Sequence, residues 1–391
     1  MKFTRLTQRL SNLGGAKWDI HFRARTLAAQ GNDIIEMTIG EPDISAPPEL
    51  IEAAVKSMRI GRTNYADARG EPNLRSALAE KYSISSGREI SPAQVLCFPG
   101  TQTALFAVMM GIAEAGNDVL VGDPMYATYE GVIRSTGADM VQVPLLPQDG
   151  FRIQAFDIAE RITPRSSAVL LTSPHNPSGA ILTKHEIQQI GELAVHHDLW
   201  IVCDEVYEDL VFDGGTFFSP LWIHDLADRT IIVSSISKSH AVPGFRSGWC
   251  IAPAEFIDRL LPLVESMLFG NQPFIADMTE AAIKQGSSVA EGMRERFARR
   301  AALLSEYIGS DCGLTVHPPQ AGMFALINVS GTGADGYEFA SGLLEKEGVA
   351  VMPGSSFGSN LQDWIRISLT LEDDVFLEGC RRLKKYAESL L

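Results

Sequence analysis

At 391 residues, with 45% hydrophobic and 21% charged side chains, the chain is long enough for two domains sharing an interface and a large core. Its formal net charge of −15 argues against a nucleic-acid partner, which would need a basic surface. Five cysteines, at 97, 203, 250, 312 and 380, are odd in number and widely spaced, which fits buried thiols in a reducing compartment better than disulfides or a zinc site.

No apolar run approaches membrane length, and Met1-Lys2-Phe3-Thr4-Arg5 is not followed by a signal-peptide core, so a cytoplasmic protein without a membrane partner is expected. Residues 1 to about 45 read as a polar helix, a Gly14-Gly15 break and a second helix starting at Trp18-Asp19. Ile39-Gly40-Glu41-Pro42-Asp43 is too rich in turn residues to continue that helix. Pro47-Pro48 opens an amphipathic helix to about Met58, and Tyr65 to Gly70 is a loop before a helix from Pro72. Val95 to Phe98 reads as a strand, and Gly100-Thr101-Gln102-Thr103 as the start of a helix to about Ala113. Free N–H groups there, with a glycine allowing close approach, make an anion site. The strand Val119 to Val121 leads to Asp123-Pro124-Met125-Tyr126.

Three apolar runs then each end in polar residues. After Ala168 to Leu171 comes Ser173-Pro174-His175-Asn176-Pro177-Ser178-Gly179, a rigid turn in which Asn176 offers an amide. Trp200 to Cys203 places Asp204 at a strand's carboxyl end, with Tyr207 three residues on. A carboxylate there can keep a pyridine nitrogen protonated, since an adjacent opposite charge favours the charged form. Tyr207 can bond the ring's phenolic oxygen; taken singly, Asp204 reads equally as a helix cap and Tyr207 as packing. Ile231 to Val233 is a buried strand, so Lys238 stands where ligands of open α/β sheets bind. An amine for an aldehyde, with Ser235, Ser237 and Arg246 for a phosphate, is the equipment for a pyridoxal-phosphate Schiff base. A solvated lysine in a serine-rich loop is the plain alternative for that stretch alone.

Gly248 to Ile251 is expected as the sheet's antiparallel strand. Helices follow at about 255–268, 273–284 and 289–307, the last leading to a second domain. The expected division is 46–285 for a large cofactor-binding domain and 1–45 with 286–391 for a small one. Gly331-Thr332-Gly333-Ala334-Asp335-Gly336 matches a dinucleotide fingerprint and supports a rival reading, a nucleotide-dependent oxidoreductase. The next strand, Val349 to Met352, ends in Pro353-Gly354 without an acidic ribose ligand, so a solvent loop is expected instead. Trp364-Ile365-Arg366-Ile367-Ser368 alternates as a half-buried strand does. An arginine inside it needs a partner: a substrate α-carboxylate, which its fork suits, or an internal Asp or Glu.

In combination, Asp204-x-x-Tyr207, Asn176-Pro177-Ser178-Gly179 and Ser235-x-Ser237-Lys238 followed by Arg246 resemble the class I/II aminotransferases of pyridoxal-phosphate fold type I, over nearly the whole chain. The resemblance implies an α/β fold: a mostly parallel seven-stranded sheet with helices on both faces, plus a smaller α+β domain. It implies catalytic roles for Lys238, Asp204 and Tyr207. Pyridoxal 5'-phosphate would be held by these with Gly100, Thr101, Gln102, Asn176, Ser235, Ser237 and Arg246, with Tyr126 stacked on its ring. Gly40, Asn176 and Arg366 would bind substrate, and no metal is involved. Tyr65 would reach the neighbouring subunit's cofactor phosphate, making a homodimer with shared sites, and Asn271 is a further candidate for the partner's site. The implied activity moves an α-amino group from an L-amino acid to a 2-oxo acid; an aspartate or aromatic aminotransferase, or a lyase of the same fold, are the alternatives. Aspartate-using members commonly carry a lysine where this chain has Thr101. Trp18-Asp19-Ile20-His21, Tyr65-Ala66-Asp67-x-Arg69-Gly70 and Ser237-Lys238-Ser239-His240-Ala241 are most similar to members using arginine and pyruvate. For these Asp19 could accept a guanidinium, or equally cap its own helix.

Overall fold

The computed structural model describes every residue except Met1, Asn12, Gly14, Ser310 and Asp311; Met1 and the Gly14 half of the expected glycine break therefore lie outside the described residues. The apolar runs assemble into one seven-stranded sheet. In spatial order its strands are Val95–Phe98, Gly248–Ile251, Thr230–Ser235, Trp200–Asp204, Ser166–Thr172, Asp118–Asp123 and Asp139–Pro144. Neighbours are parallel except Gly248–Ile251, which runs antiparallel to both strands flanking it, as its sequence position led us to expect.

A parallel sheet is covered on both faces, so its strands are apolar at consecutive positions while successive side chains still alternate in direction. Val169, Leu171, Ile201 and Cys203 point into a core with Leu74 and Leu78 of helix Pro72–Ser86, Ile187 and Ile190 of helix Lys184–His196, and Ile275 of helix Pro273–Gln285. Leu170, Val202, Ile231 and Val233 point the other way, onto Leu105 and Val108 of helix Thr101–Ile112 and Leu260 of helix Ala254–Met267. Burial of each such side chain contributes about 1.5–3 kcal/mol. Pro48, Pro72 and Pro273 each open a helix, where the missing N–H has no intrahelical partner to lose. The consequence for function is geometric: Thr172, Asp204 and Ser235 are the last residues of three adjacent parallel strands and share one edge.

A second, antiparallel sheet has the order Met352–Pro353, Trp364–Ser368, Phe324–Asn328, Thr315–His317. Ile365 and Ile367 enter a third core with Phe297 and Leu304 of helix Ala290–Ile308, Phe339 of helix Gly336–Glu347 and Phe376 of helix Asp373–Glu388. The expectation of a half-buried strand at Trp364–Ser368 is corrected: all of its residues are buried. Its side chains alternate as expected, but the polar face is covered by protein rather than water. Arg366 stands in register with Leu326 and Met352, which pack with Trp364 into the core beneath the large sheet.

The glycine-rich stretch Gly331 to Gly336 does not open a βαβ unit. Phe324–Asn328 before it has antiparallel neighbours, and Val349–Ala350 after it pairs with Ile35–Glu36 in a separate two-stranded ladder. The helix start is capped from within the chain, Asp335 Oδ1 accepting the N–H groups of Tyr337 and Glu338 at 2.8 Å. A pyrophosphate would find that terminus already satisfied, and the oxidoreductase reading falls with it. All five cysteines are free and buried. Among the described residues no helix is long and apolar enough to cross a membrane.

Candidate active site

The shared strand edge and the second sheet enclose a cavity lined by Lys238, Asp204, Asn176, Tyr126, Arg246 and Arg366, among others. Lys238 follows the strand Thr230–Ser235 in a turn where His240 N–H donates to Ile236 O at 3.1 Å. Its Nζ donates to Gly40 O at 2.8 Å. Burial, with the nearby charges of Arg366 and Arg246, pushes the amine down to about 8, although Glu41 pulls the other way. Near neutral pH this lysine therefore carries an appreciable fraction of free amine, which an exposed lysine does not.

Asp204 faces the same space. Its Oδ2 accepts from Tyr129 Oη at 2.8 Å and its Oδ1 from Val206 N at 3.2 Å, and Tyr129 Oη accepts from Thr172 Oγ1 at 2.9 Å. Burial raises its carboxyl to about 6, against the two hydrogen bonds that favour the carboxylate. No cation bonds it among the described residues. A buried carboxylate in that condition calls for a protonated partner from outside the chain.

Arg366 is the converse, a buried guanidinium without a carboxylate partner among the described residues. Nη2 donates to Thr38 O at 2.6 Å and Nη1 to Asn176 Oδ1 at 3.0 Å. The plane lies against the rings of Phe324 and Phe357, 3.7 and 4.3 Å from their centroids. Nε is buried and unbonded. Burial pushes this arginine down to about 9, although Tyr207 and Tyr126 pull the other way. Asn176 also donates through Nδ2 to Tyr207 Oη at 3.5 Å, so one amide ties the arginine to the tyrosine.

At the far wall, Gly100 precedes helix Thr101–Ile112 with φ +89°, and a Cβ there would overlap Arg246 Nη2. Only glycine lets the arginine close over the helix terminus. Arg246 itself holds φ +55°, a strained setting for a side chain of its size. Thr101 Oγ1 is buried without a partner among the described residues, and Ser235 and Ser237 line the same cavity. Unsatisfied N–H groups, a hydroxyl and a guanidinium converge there as in a phosphate site.

Of the residues singled out from sequence, Gly40, Thr101, Gln102, Tyr126, Asn176, Asp204, Tyr207, Ser235, Ser237, Lys238, Arg246 and Arg366 all line this cavity, and Gly100 abuts it. Tyr65 does not: it is 88% exposed, its ring against Phe269, itself 67% exposed. Asp19 is also elsewhere, accepting from Tyr337 Oη at 2.9 Å and 3.7 Å from Arg23 one turn on. Asn271 is buried outside the cavity with neither amide atom bonded. Sequence reasoning missed Tyr129, Trp18, Glu41, Phe324 and Phe357. Tyr129 had one signal, its place three residues after Tyr126; the two phenylalanines had none.

The family described as aminotransferase class I and II matches residues 32–383. An arginine–pyruvate transaminase of Pseudomonas aeruginosa is 40% identical over 391 residues, spanning 100% of this chain and 99% of that protein. A probable aspartate/prephenate aminotransferase of Aquifex aeolicus is 32% identical, with 94% of each chain covered. The solved structure of Thermus thermophilus aspartate aminotransferase with maleate superposes with a TM-score of 0.93 at 30% identity, over 99% of this chain and 100% of that one.

Proposed function

Since this chain belongs to the class I and II aminotransferases, we propose that Lys238, Asp204 and Arg366 are its amine, ring-nitrogen partner and carboxylate anchor, and that L-arginine is the donor and pyruvate the acceptor. The enzyme is a pyridoxal-phosphate-dependent transaminase. The observation that carries the assignment of roles is the convergence of an amine near pH 8, a cation-free buried carboxylate and a carboxylate-free buried guanidinium on one cavity.

The residues present fit the cofactor. Gly100 and the unbonded Thr101 Oγ1, with Gln102, Ser235, Ser237 and Arg246, suit its phosphate; Tyr126 suits a ring face, and Asn176 and Tyr207 suit the ring oxygen. When bound, pyridoxal phosphate supplies an aldehyde that takes the amino group and a protonated ring that draws off the electrons left at Cα. Asp204 keeps the proton on the ring nitrogen, and Tyr129 and the Val206 N–H hold that carboxylate in place. Arg366 receives the substrate α-carboxylate, and Gly40 lets the Phe324 ring lie against that guanidinium, since a Cβ there would collide with the ring. Lys238 Nζ takes the Cα proton and returns it on the other side of the transfer, which its lowered basicity permits near neutral pH.

For substrate, the support is 40% identity to the arginine–pyruvate transaminase over the full length. Thr101 offers no cation for a distal carboxylate, which weighs against aspartate. Relatives named aspartate/prephenate aminotransferase, at 32–34% identity, keep an aspartate or aromatic donor as the second reading. Adding each L-amino acid to the cofactor-loaded enzyme and following the loss of aldehyde-form absorbance separates the two. Arginine should respond; if it is silent while aspartate or phenylalanine reacts, the arginine assignment fails.

The exposed Tyr65–Phe269 pair supports a homodimer in which Tyr65 reaches the partner's phosphate. Mixing inactive Lys238→Ala with Tyr65→Ala subunits should then restore activity by forming hybrids with one intact site. No recovery from demonstrated hybrids would refute shared sites.

A further inference from the structure

We infer that Glu41 is the specificity residue for the substrate side chain, selecting a cationic end on an aliphatic stem. This rests on the aminotransferase reading and deepens it to a substrate class. The loop Gly40 to Asp43 is anchored two residues past Glu41, where the Asp43 carboxylate is gripped by Arg296 at 2.7 and 2.8 Å and by Arg300 at 2.9 Å; on the other side Gly40 O accepts from the free Lys238 Nζ at 2.8 Å, a contact given up once that amine engages the cofactor. Between these contacts Glu41 is exposed, lines the cavity, and makes no hydrogen bond or ion pair among the described residues. A carboxylate left without a partner on an anchored stretch of backbone is open to a ligand, and the backbone has little freedom left to lose on binding.

The rest of the cavity fixes the sign of that ligand. Among the described residues its cations are Lys238, Arg246 and Arg366, assigned to the amine, phosphate and α-carboxylate, so none of them remains for an acidic side chain. Its other acid, Asp204, is bonded by Tyr129 and by backbone. Trp18, Ile39 and Leu105 line the same cavity and offer apolar surface for a methylene stem, with an indole face for a guanidinium or ammonium.

The test is the ratio of kcat/KM for L-arginine to that for L-citrulline, its neutral near-isostere, in the cofactor-loaded parent and in Glu41→Gln. The parent should favour arginine, and the variant should lose roughly tenfold of that ratio, the scale of one hydrogen bond to a charged group. An unchanged ratio in Glu41→Gln overturns the proposal, including the case where both rates fall together because Glu41 acts only through the charge of Lys238. If the parent turns over neither arginine, lysine nor ornithine but does use an acidic or aromatic amino acid, the arginine reading itself fails, an outcome distinguishable because it appears before any substitution is made.

Discussion

Two arginines, Arg300 and Arg366, are each only 2% exposed, yet replacing each with methionine should have opposite consequences. Arg300 donates to Asp43 Oδ2 at 2.9 Å, Asp373 Oδ1 at 2.8 Å and Leu369 O at 2.9 Å, so Arg300→Met strips a buried ion network and should cost about 3–5 kcal/mol. Arg366 has no carboxylate among the described residues, and its fall to about 9, well below the ordinary arginine range, marks a charge that folding disfavours by roughly a few kcal/mol, at about 1.4 kcal/mol per pH unit. Arg366→Met removes that penalty but leaves Thr38 O and Asn176 Oδ1 unbonded, at about 1–3 kcal/mol each. The terms nearly cancel, so the cofactor-free variant should stay within about 2 kcal/mol of the parent. Its kcat/KM should nevertheless fall roughly a hundred- to a thousandfold, as expected when one side of a buried charge contact is deleted. Because the folded state binds this proton less tightly than the unfolded one, parent stability should rise as pH climbs above about 9, and the methionine variant should lack that rise. Urea midpoints of the three proteins, with steady-state kinetics, decide the matter. If Arg366→Met unfolds as readily as Arg300→Met while the amino-acid KM is unmoved, Arg366 is structural and its place in the mechanism is wrong.

Lys238 should react as free amine from about pH 8, so the rate of covalent uptake of pyridoxal phosphate by the cofactor-free protein should rise with a midpoint near 8; a midpoint above 10 would refute burial as the cause. Tyr129→Phe removes the Oη that donates to Asp204 at 2.8 Å, a bond that favours the carboxylate. The acid limb of kcat/KM should therefore move upward by about one pH unit and cofactor affinity should drop about tenfold; an unmoved limb would show that Tyr129 only packs. Gly100→Ala sets a Cβ against Arg246 at φ +89°, so cofactor dissociation should quicken by tenfold or more while the unfolding midpoint shifts by only about 1–2 kcal/mol. Equal cofactor retention would mean that the glycine serves the turn alone.

The strands were legible because each is an unbroken apolar run, and a run that stops names the residue at its end. Asp204 and Lys238 could be assigned to one edge because both follow such runs, Trp200 to Cys203 and Ile231 to Val233, whose parallel pairing fixes where the ends lie. Arg366 was legible from a polar residue inside a period-two strand, but the cover over its face was not. That cover comes from Phe324 and Phe357, brought in by pairing and by a loop rather than by local pattern. Tyr129 stands 75 positions from the carboxylate it bonds, and no spacing rule connects a helix start to a strand end in another unit. Asp19 stayed open between two readings for the opposite reason. An acid in a helix's first turn reads the same whether it serves the helix, a neighbour or a ligand, and here it meets Tyr337 on the surface.

Buried charges at several scaffold positions are paired. Lys81 is held by Glu208 at 2.6 Å, and Arg300 bridges Asp43 and Asp373. Inside the cavity both signs stand unpaired: among the described residues Lys238 and Arg366 have no carboxylate within bonding distance, and Asp204 has no cation. A chain with net charge −15 has ample acid to neutralise them, so the mismatch reflects how the strand ends and the second sheet keep those acids out. A phosphate, an α-carboxylate and a protonated ring are the complements of this pattern. Binding them relieves desolvation already incurred in folding, which leaves the attraction largely undiminished by water. The residues that should be most costly to function are therefore those whose loss the fold tolerates best, and the contrast between Arg366→Met and Arg300→Met measures that directly.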